Sequence, residues 1–377
     1  MKSFSRAKAF AFTLIAQVLT LLVLLGLVEG VFRMLNPDYD LRGGNERRFF
    51  FVFDSVLGWT PKTNFTGVHE KDGFSIPVHQ NQFGLRASDN LLRENPTGKR
   101  RIIVMGDSYV WGYGVGDADV FTELDMSRYG VELINFGVSG YGTDQEYLLY
   151  EKMGKDFSAE EVILVITPYN DFMNNVEPSQ YGYDKPYFKL KDEQLVLHTE
   201  HLKPDLWSRL RNELSDSLRA FNYMGSLLRS FKQSFESRDK SASAPKQAVL
   251  DKESVTESDE LAMALTLRIV EKLKSLVESQ GRKFTVAFIP YKIHVTRNIL
   301  RNHPMVPLFA DKLREKEIKY LEPFYIFLQA EEKRAGLFNQ NDRHFSASGH
   351  ALFASTLLDP ELVEQTLNYY HKKSDDS

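Results

Sequence analysis

The chain contains no cysteine. That excludes a disulfide framework, a cysteine-ligated zinc site and a thiol nucleophile, while leaving the compartment open. A charge excess is missing too: 47 Lys and Arg stand against 51 Asp and Glu, a formal net charge of −4. Nucleic-acid binders usually carry a clear basic excess or patch, so no nucleic-acid partner is expected. Neither the G-x-G-x-x-G dinucleotide fingerprint nor the G-x-x-x-x-G-K-[ST] phosphate loop occurs, and there is no H-E-x-x-H zinc motif. The G-x-S-x-G nucleophile elbow is also missing; Gly137-Val138-Ser139-Gly140-Tyr141 lacks its final Gly. No cofactor and no metal are expected on these grounds. What is present is globular: 42% hydrophobic and 26% charged residues exclude wholesale disorder, and 27 Phe with 17 Tyr supply a substantial core.

One local extreme stands out. Between Lys8 and Glu29 lie 20 residues without a charge, AFAFTLIAQVLTLLVLLGLV. As a helix at about 1.5 Å per residue, this run matches a hydrocarbon core of about 30 Å. Lys2, Arg6 and Lys8 precede it, with no acid before Glu29. The positive-inside rule then keeps the N-terminus cytoplasmic and sends the body outside. A cleaved signal peptide would have a shorter apolar stretch, about 7–15 residues, and a small-x-small cleavage site. Gly26-Leu27-Val28-Glu29-Gly30 is a poor one. The expectation is a cytoplasmic tip over 1–8 and a transmembrane helix over 9–30. The main domain would be periplasmic or extracellular, and the membrane a partner through that helix.

Residues 31–98 read as a juxtamembrane covering segment with a few edge strands, at Phe49–Phe53 and Gly73–Val78. From Lys99 a clearer rhythm begins. Short apolar strands are expected at Arg101–Met105, Val131–Ile134, Val162–Ile166 and Phe284–Ile289, with helices at Asp144–Lys155 and Asp259–Glu278. Nearly continuous apolar strands alternating with helices imply a parallel sheet covered on both faces. Ligands then bind outside the carboxyl ends of the strands. A domain over 99–365 carries this pattern, interrupted by an insertion at 178–258 and followed by a polar tail at 366–377. Within the insertion, 233–258 has few large apolar groups and reads as a flexible loop. Leu206–Phe231 has helical spacing and suits a lid or packing element.

Four polar motifs fall at the ends of those strands or before the last helix. Gly106-Asp107-Ser108 follows the first strand, where a following helix would bring its positive end near Ser108 Oγ. A Ser or Asp capping a helix is the ordinary alternative. Asn135–Gly142 holds three glycines whose backbone N–H groups could meet an oxyanion, or form a plain turn. Asn170-Asp171 follows the third strand, and a side-chain amide there could also donate. Asn341–His350 offers a His to take a serine proton and an Asp to fix its tautomer. Asp342, His344 and His350 could alternatively bind a metal, but no second acidic cluster supports that; His350 reads as a packed residue of the final helix.

In this order, Ser, Gly, Asn and Asp-x-His, the motifs resemble the SGNH (GDSL-type) hydrolase superfamily. Gly106-Asp107-Ser108, Gly140, Asn170-Asp171 and Asp342/His344 carry the likeness, over about 99–177 and 259–360. Asn81–Arg86 also looks like an element upstream of the core in membrane-anchored members. The resemblance implies a three-layer α/β/α sandwich with a parallel, flavodoxin-like sheet, preceded here by one transmembrane helix. It implies a serine esterase with Ser108 as nucleophile, His344 as base and Asp342 orienting His344. The Ser108 and Gly140 N–H groups and the Asn170 amide would form the oxyanion hole. Many members place the Asp three residues before the His, where this chain has Asn341. The expected substrate is an O-acyl ester of a glycan or lipid; no protein partner is indicated. An O-acyltransferase acting on a cell-surface glycan would use the same residues, and a catalytically silent glycan-binding or assembly protein is the rival from another class.

Overall fold

A computed structural model describes residues 2–36, 50–71, 74–168, 170–180, 183–192, 194–203, 214, 218–221, 223–225, 255–299, 301–333 and 335–370. The expected loop at 233–258, up to 254, lies outside them, as do most of the expected lid at 206–231, Tyr169 and the tail beyond 370. The chain divides into two compact units: Met1–Gly43 with Pro204–Val249, and Gly44–Lys203 with Leu250–Ser377.

The first unit holds α1 (Lys2–Leu35), of which Lys8–Leu35 is long and apolar enough to cross a membrane. Its two threonines satisfy their hydroxyls within the helix, Thr13 Oγ1 donating to the Ala9 carbonyl at 2.9 Å and Thr20 Oγ1 to that of Ala16 at 2.8 Å. In hydrocarbon that removes a polar cost. The helix runs five residues beyond the expected end at 30. Glu29 accepts from Arg33 Nε at 2.7 Å, an i,i+4 pair that supports this extra turn. The same carboxylate accepts the backbone N–H groups of Arg219 and Ala220, each at 2.9 Å.

The second unit begins with two antiparallel hairpins, β1 (Phe51–Asp54) with β2 (Gly58–Pro61) and β3 (Phe65–Lys71) with β4 (Phe74–Gln80). β1 and β4 fall where edge strands were expected, at Phe49–Phe53 and Gly73–Val78; each pairs with a strand that was not expected, β2 and β3, and neither joins the main sheet. The chain continues through β5 (Arg100–Gly106), α2 (Ser108–Trp111), β6 (Val131–Gly137), α3 (Thr143–Lys152), β7 (Glu161–Ile166) and α4 (Asn170–Val176). Small hairpins follow, β8 (Ser179–Gln180) with β9 (Tyr183–Asp184) and β10 (Tyr187–Lys191) with β11 (Gln194–His198). After α5 (Glu257–Ser279) come β12 (Lys283–Phe288), α6 (Lys292–Thr296), α7 (Met305–Glu315), β13 (Tyr320–Leu321), α8 (Phe324–Glu332), α9 (Ala347–Leu358) and α10 (Pro360–Thr366).

The main sheet is five-stranded and parallel, in the order β13-β12-β7-β5-β6. Alternate side chains of each strand enter opposite cores. Ile103, Met105, Val162 and Leu164 pack on one face with Leu148 of α3, Ile269 of α5 and Phe309 of α7. Ile102, Val104, Ile163 and Val165 pack on the other with Phe327 of α8 and Phe353 of α9. Two cores around one sheet make three layers, as expected. All four expected strands and both expected helices are present. β13 was missed, since two residues carry no period. The first residues of the expected tail are packed: Asn368 N–H donates to the Tyr320 carbonyl at 2.8 Å.

Counted within the sheet, the order is 2-1-3-4-5 reversed, the doubly wound arrangement with a switch point between its first and third strands. β5 lies between β6 and β7, so the chain leaves it toward one side and returns on the other. In such sheets ligands bind outside the carboxyl ends of the strands flanking the switch point, here β5 and β7. Ser108 follows the first of these strands and Asn170 the second.

Candidate active site

At the end of β5 the backbone turns sharply into α2, and side-chain size decides which residues fit. A Cβ on Gly106 would lie 2.4 Å from Val110 Cγ2, and one on Gly137 would lie 2.2 Å from the Trp111 nitrogen. Only glycine lets α2 sit this close over the strand ends. The expected helix does follow and begins at Ser108, but it is a single turn and so brings less dipole to Ser108 than a long helix would. The capping alternative holds for Asp107, whose carboxylate accepts the Tyr109 N–H at 3.0 Å.

Ser108 and His344, each 9% exposed, meet across 236 residues of chain: Ser108 Oγ is 2.7 Å from His344 Nε2. The Asp-x-His turn is self-contained. One oxygen of Asp342, Oδ1, accepts the backbone N–H of His344 at 2.9 Å and also pairs with His344 Nδ1. Burial alone would raise the Asp342 carboxyl, but the hydrogen bonds and charge of His344 outweigh it and hold the group well below the usual carboxylate range. Asp342 is therefore ionised at neutral pH. It holds a proton on Nδ1, which leaves the Nε2 lone pair to accept the Ser108 hydroxyl.

Asp107 ties the turn to the next strand. Its carboxylate accepts from Thr167 Oγ1 at 3.1 Å and from Asn170 Nδ2 at 3.0 Å. Asn170 thus stands beside the serine turn with one amide N–H committed to Asp107; the amide carries a second. Gly140 lies in the loop leaving β6, left-handed at φ 80°, a conformation that favours glycine. That loop is sewn to the strand end by Val138 N–H donating to the Gly106 carbonyl at 3.0 Å. His350 packs inside α9, its ring stacked on Phe121 and its Nδ1 accepting the Phe121 N–H at 3.4 Å. Burial first, then the charge of Arg86, pushes it down to about 3.

Three neighbours have no role in the sequence reading, Tyr109 standing there only as the residue after the nucleophile, where its difference from the usual Leu is expected to matter little. Tyr109 packs against the His344 ring at 4.7 Å and donates its hydroxyl to the Arg343 carbonyl at 2.8 Å. Tyr113 stacks on His344 from another side, at 4.2 Å and 23°. Lys292, four residues past β12, donates Nζ to the carbonyls of Asn339 and Asp342, both at 2.6 Å. Burial lowers the Lys292 ammonium, with Asp342 and Glu331 opposing. Of these, Lys292 carried a usable signal, because it sits at the carboxyl end of a parallel strand.

No protein-family profile matches the chain, and no curated protein does. Among solved structures it is similar to a member of the lipolytic protein G-D-S-L family from Veillonella parvula, at 12% identity and TM-score 0.38, over 69% of this chain and 97% of that one. A GDSL-like lipase from Bacteroides thetaiotaomicron is similar at 11% identity and TM-score 0.35, over 74% and 93%. An acetyl xylan esterase from Geobacillus stearothermophilus is similar at 11% identity and TM-score 0.36, over 71% and 95%. At this level of identity and overlap, function rests on the side chains of the site.

Proposed function

We propose that the chain is a membrane-anchored serine ester hydrolase, acting through an acyl-enzyme on an O-acyl ester of a glycan or lipid outside the cytoplasmic membrane. The observation that carries this reading is the row Ser108 Oγ, His344, Asp342, with 2.7 Å between Oγ and Nε2. Ser108 Oγ attacks the ester carbonyl as its proton passes to His344 Nε2. Asp342 stabilises the imidazolium. The tetrahedral oxyanion accepts from the Ser108 and Gly140 N–H groups and from the second N–H of Asn170. Collapse of the intermediate expels the alcohol, which takes the proton from His344. Water, deprotonated by His344, then attacks the acyl-enzyme; the acyl–Oγ bond breaks, the carboxylic acid leaves and His344 returns the proton to Ser108 Oγ. The location is supported by Lys2, Arg6 and Lys8 before the apolar run, and by α1 being long enough to span.

A fluorophosphonate probe applied to the full chain in detergent tests the reading: it should label the parent and not Ser108→Ala. Equal labelling of both would remove Ser108 as the nucleophile. Asn170→Ala should lower kcat on a nitrophenyl ester by on the order of 10²–10³. A loss below about threefold would take Asn170 out of the oxyanion hole. Lys292→Met frees the loop that presents Asp342 and His344. Misplacement by about 1 Å costs on the order of 10² in rate, so kcat should fall roughly 10- to 100-fold with KM little changed. An unchanged kcat would mean the loop holds its shape without the ammonium.

A further inference from the structure

We propose that the β3–β4 hairpin is part of the active site: through Lys71 and Tyr113 it fixes the plane of the His344 ring, making both positioning residues for the base. This rests on the reading of His344 as that base. The bonds at Nδ1 and Nε2 define an axis across the imidazole but leave rotation about it weakly held, since hydrogen bonds tolerate a broad spread of acceptor geometry. Stacking supplies the missing constraint. Tyr113 lies on the ring at 4.2 Å and 23°, and Tyr109 contacts it at 4.7 Å and 44°.

Tyr113 is itself held by parts remote in sequence. It stands between Gly112 and Gly114, both left-handed, at φ 86° and 82°. A Cβ on Gly114 would lie 2.6 Å from Asn339 Nδ2, on the loop that carries His344. The carbonyls of Trp111, Gly112 and Val115 around this turn all accept from the buried guanidinium of Arg86, whose Nε pairs with Asp117 at 2.6 Å. The hairpin closes the remaining side. His69 meets the Tyr113 ring edge-on at 4.6 Å and Phe74 at 5.7 Å. Lys71 donates Nζ to the Tyr113 hydroxyl and lies 5.0 Å from its ring centre. The contacts run without a gap from Lys71 to Tyr113 to His344. An ordinary covering hairpin would bury apolar surface without gripping a ring that touches the base.

Two readouts test this on the full chain in detergent. In Tyr113→Leu, kcat should fall roughly 10- to 100-fold with KM within about twofold, the pattern of a misplaced base. Tyr113→Phe keeps the stacked ring but loses the hydroxyl that Lys71 holds, so it should recover most of the Tyr113→Leu loss and cost only the few-fold of Lys71→Met. Lys71→Met should cost a few-fold and Lys71→Arg should restore it. The second readout needs no turnover: the proton between His344 Nδ1 and Asp342 should give a far-downfield resonance in the parent, and exchange faster with solvent in Tyr113→Leu and in Lys71→Met. Unchanged exchange in both variants overturns the inference, as does a kcat loss in Tyr113→Leu that Phe at the same position fails to rescue. The Lys71 variants alter one exposed side chain and cover the case in which Tyr113→Leu does not fold. Persistent ester turnover in Ser108→Ala would overturn the hydrolase reading alone, because the His344 proton is read independently of it.

Discussion

Ser108→Ala is expected to lower kcat on a short-chain ester by on the order of 10⁴–10⁶, with the melting temperature unchanged. The size follows from how the three residues are joined. On the proposed mechanism Ser108 Oγ becomes nucleophilic enough to attack only while His344 Nε2 accepts its proton, and that acceptor depends on Asp342 keeping Nδ1 protonated. Each of the three therefore controls the same step. His344→Ala should cost nearly as much as Ser108→Ala, and the double variant should be no worse than either single one, since effects within one catalytic unit do not add. Asp342→Asn should cost on the order of 10⁴ by favouring the wrong tautomer. The measurement is kcat for the four variants with thermal melts beside it. Additive losses in the double variant would mean that Ser108 and His344 act separately. A surviving Ser108→Ala activity, free of contaminating esterase, would end the assignment.

The parts of this site that were legible in the sequence share one property: each sits where a strand ends. Gly106-Asp107-Ser108 and Asn170 were located by the apolar runs before them, and Asp342 with His344 by their two-residue spacing. That spacing is what lets one Asp342 oxygen take both N–H groups of His344. The sheet was legible for the same reason, since strands buried on both faces read as unbroken apolar runs. Other features depend on contacts that no local pattern encodes. The order of the strands puts β5 at the switch point, but each run alone says nothing about its neighbours. Lys292 reaches a loop about 50 residues on, and Lys71 reaches Tyr113 across 42. Asn81–Arg86 drew attention only by resemblance; its use, a guanidinium gathering three carbonyls around the Tyr113 turn, appears only once the fold brings them together. The length of α2 was not legible, because a capping Asp announces the start of a helix and not its extent.

Lys185→Met should destabilise the second unit by about 3–5 kcal/mol, a drop of roughly 5–15 °C in melting temperature. Lys185 and Asp144 form an ion pair with both side chains fully buried. The ammonium also donates to the carbonyls of Asn174 at 3.1 Å and Pro186 at 2.9 Å, pinning the chain after α4 to the start of α3. Burial raises Asp144 against the pull of Lys185, and it lowers Lys185 against the pull of Asp144. Such a pair costs much to bury and more to break, because removing one partner strands the other charge. Glu146 and Asp171 sharpen the effect. Both are buried, and burial first, then neighbouring carboxylates, raises both well above the ordinary range. A carboxyl raised in the folded state stabilises it below the unfolded value, and that contribution is lost as pH rises through the folded value. With Lys185 gone, its charge no longer opposes the burial that raises Asp144 and the carboxyl rises further, so the gap between parent and Lys185→Met should narrow as pH falls. Lys185→Met/Asp144→Leu should recover most of the loss, since no stranded charge remains. A double variant as unstable as the single one would show that packing, and not charge, is what Lys185 supplies. Activity should follow stability here, because Asp144 N–H also donates to Asn175 Oδ1 at 3.0 Å, on the helix that opens with Asn170.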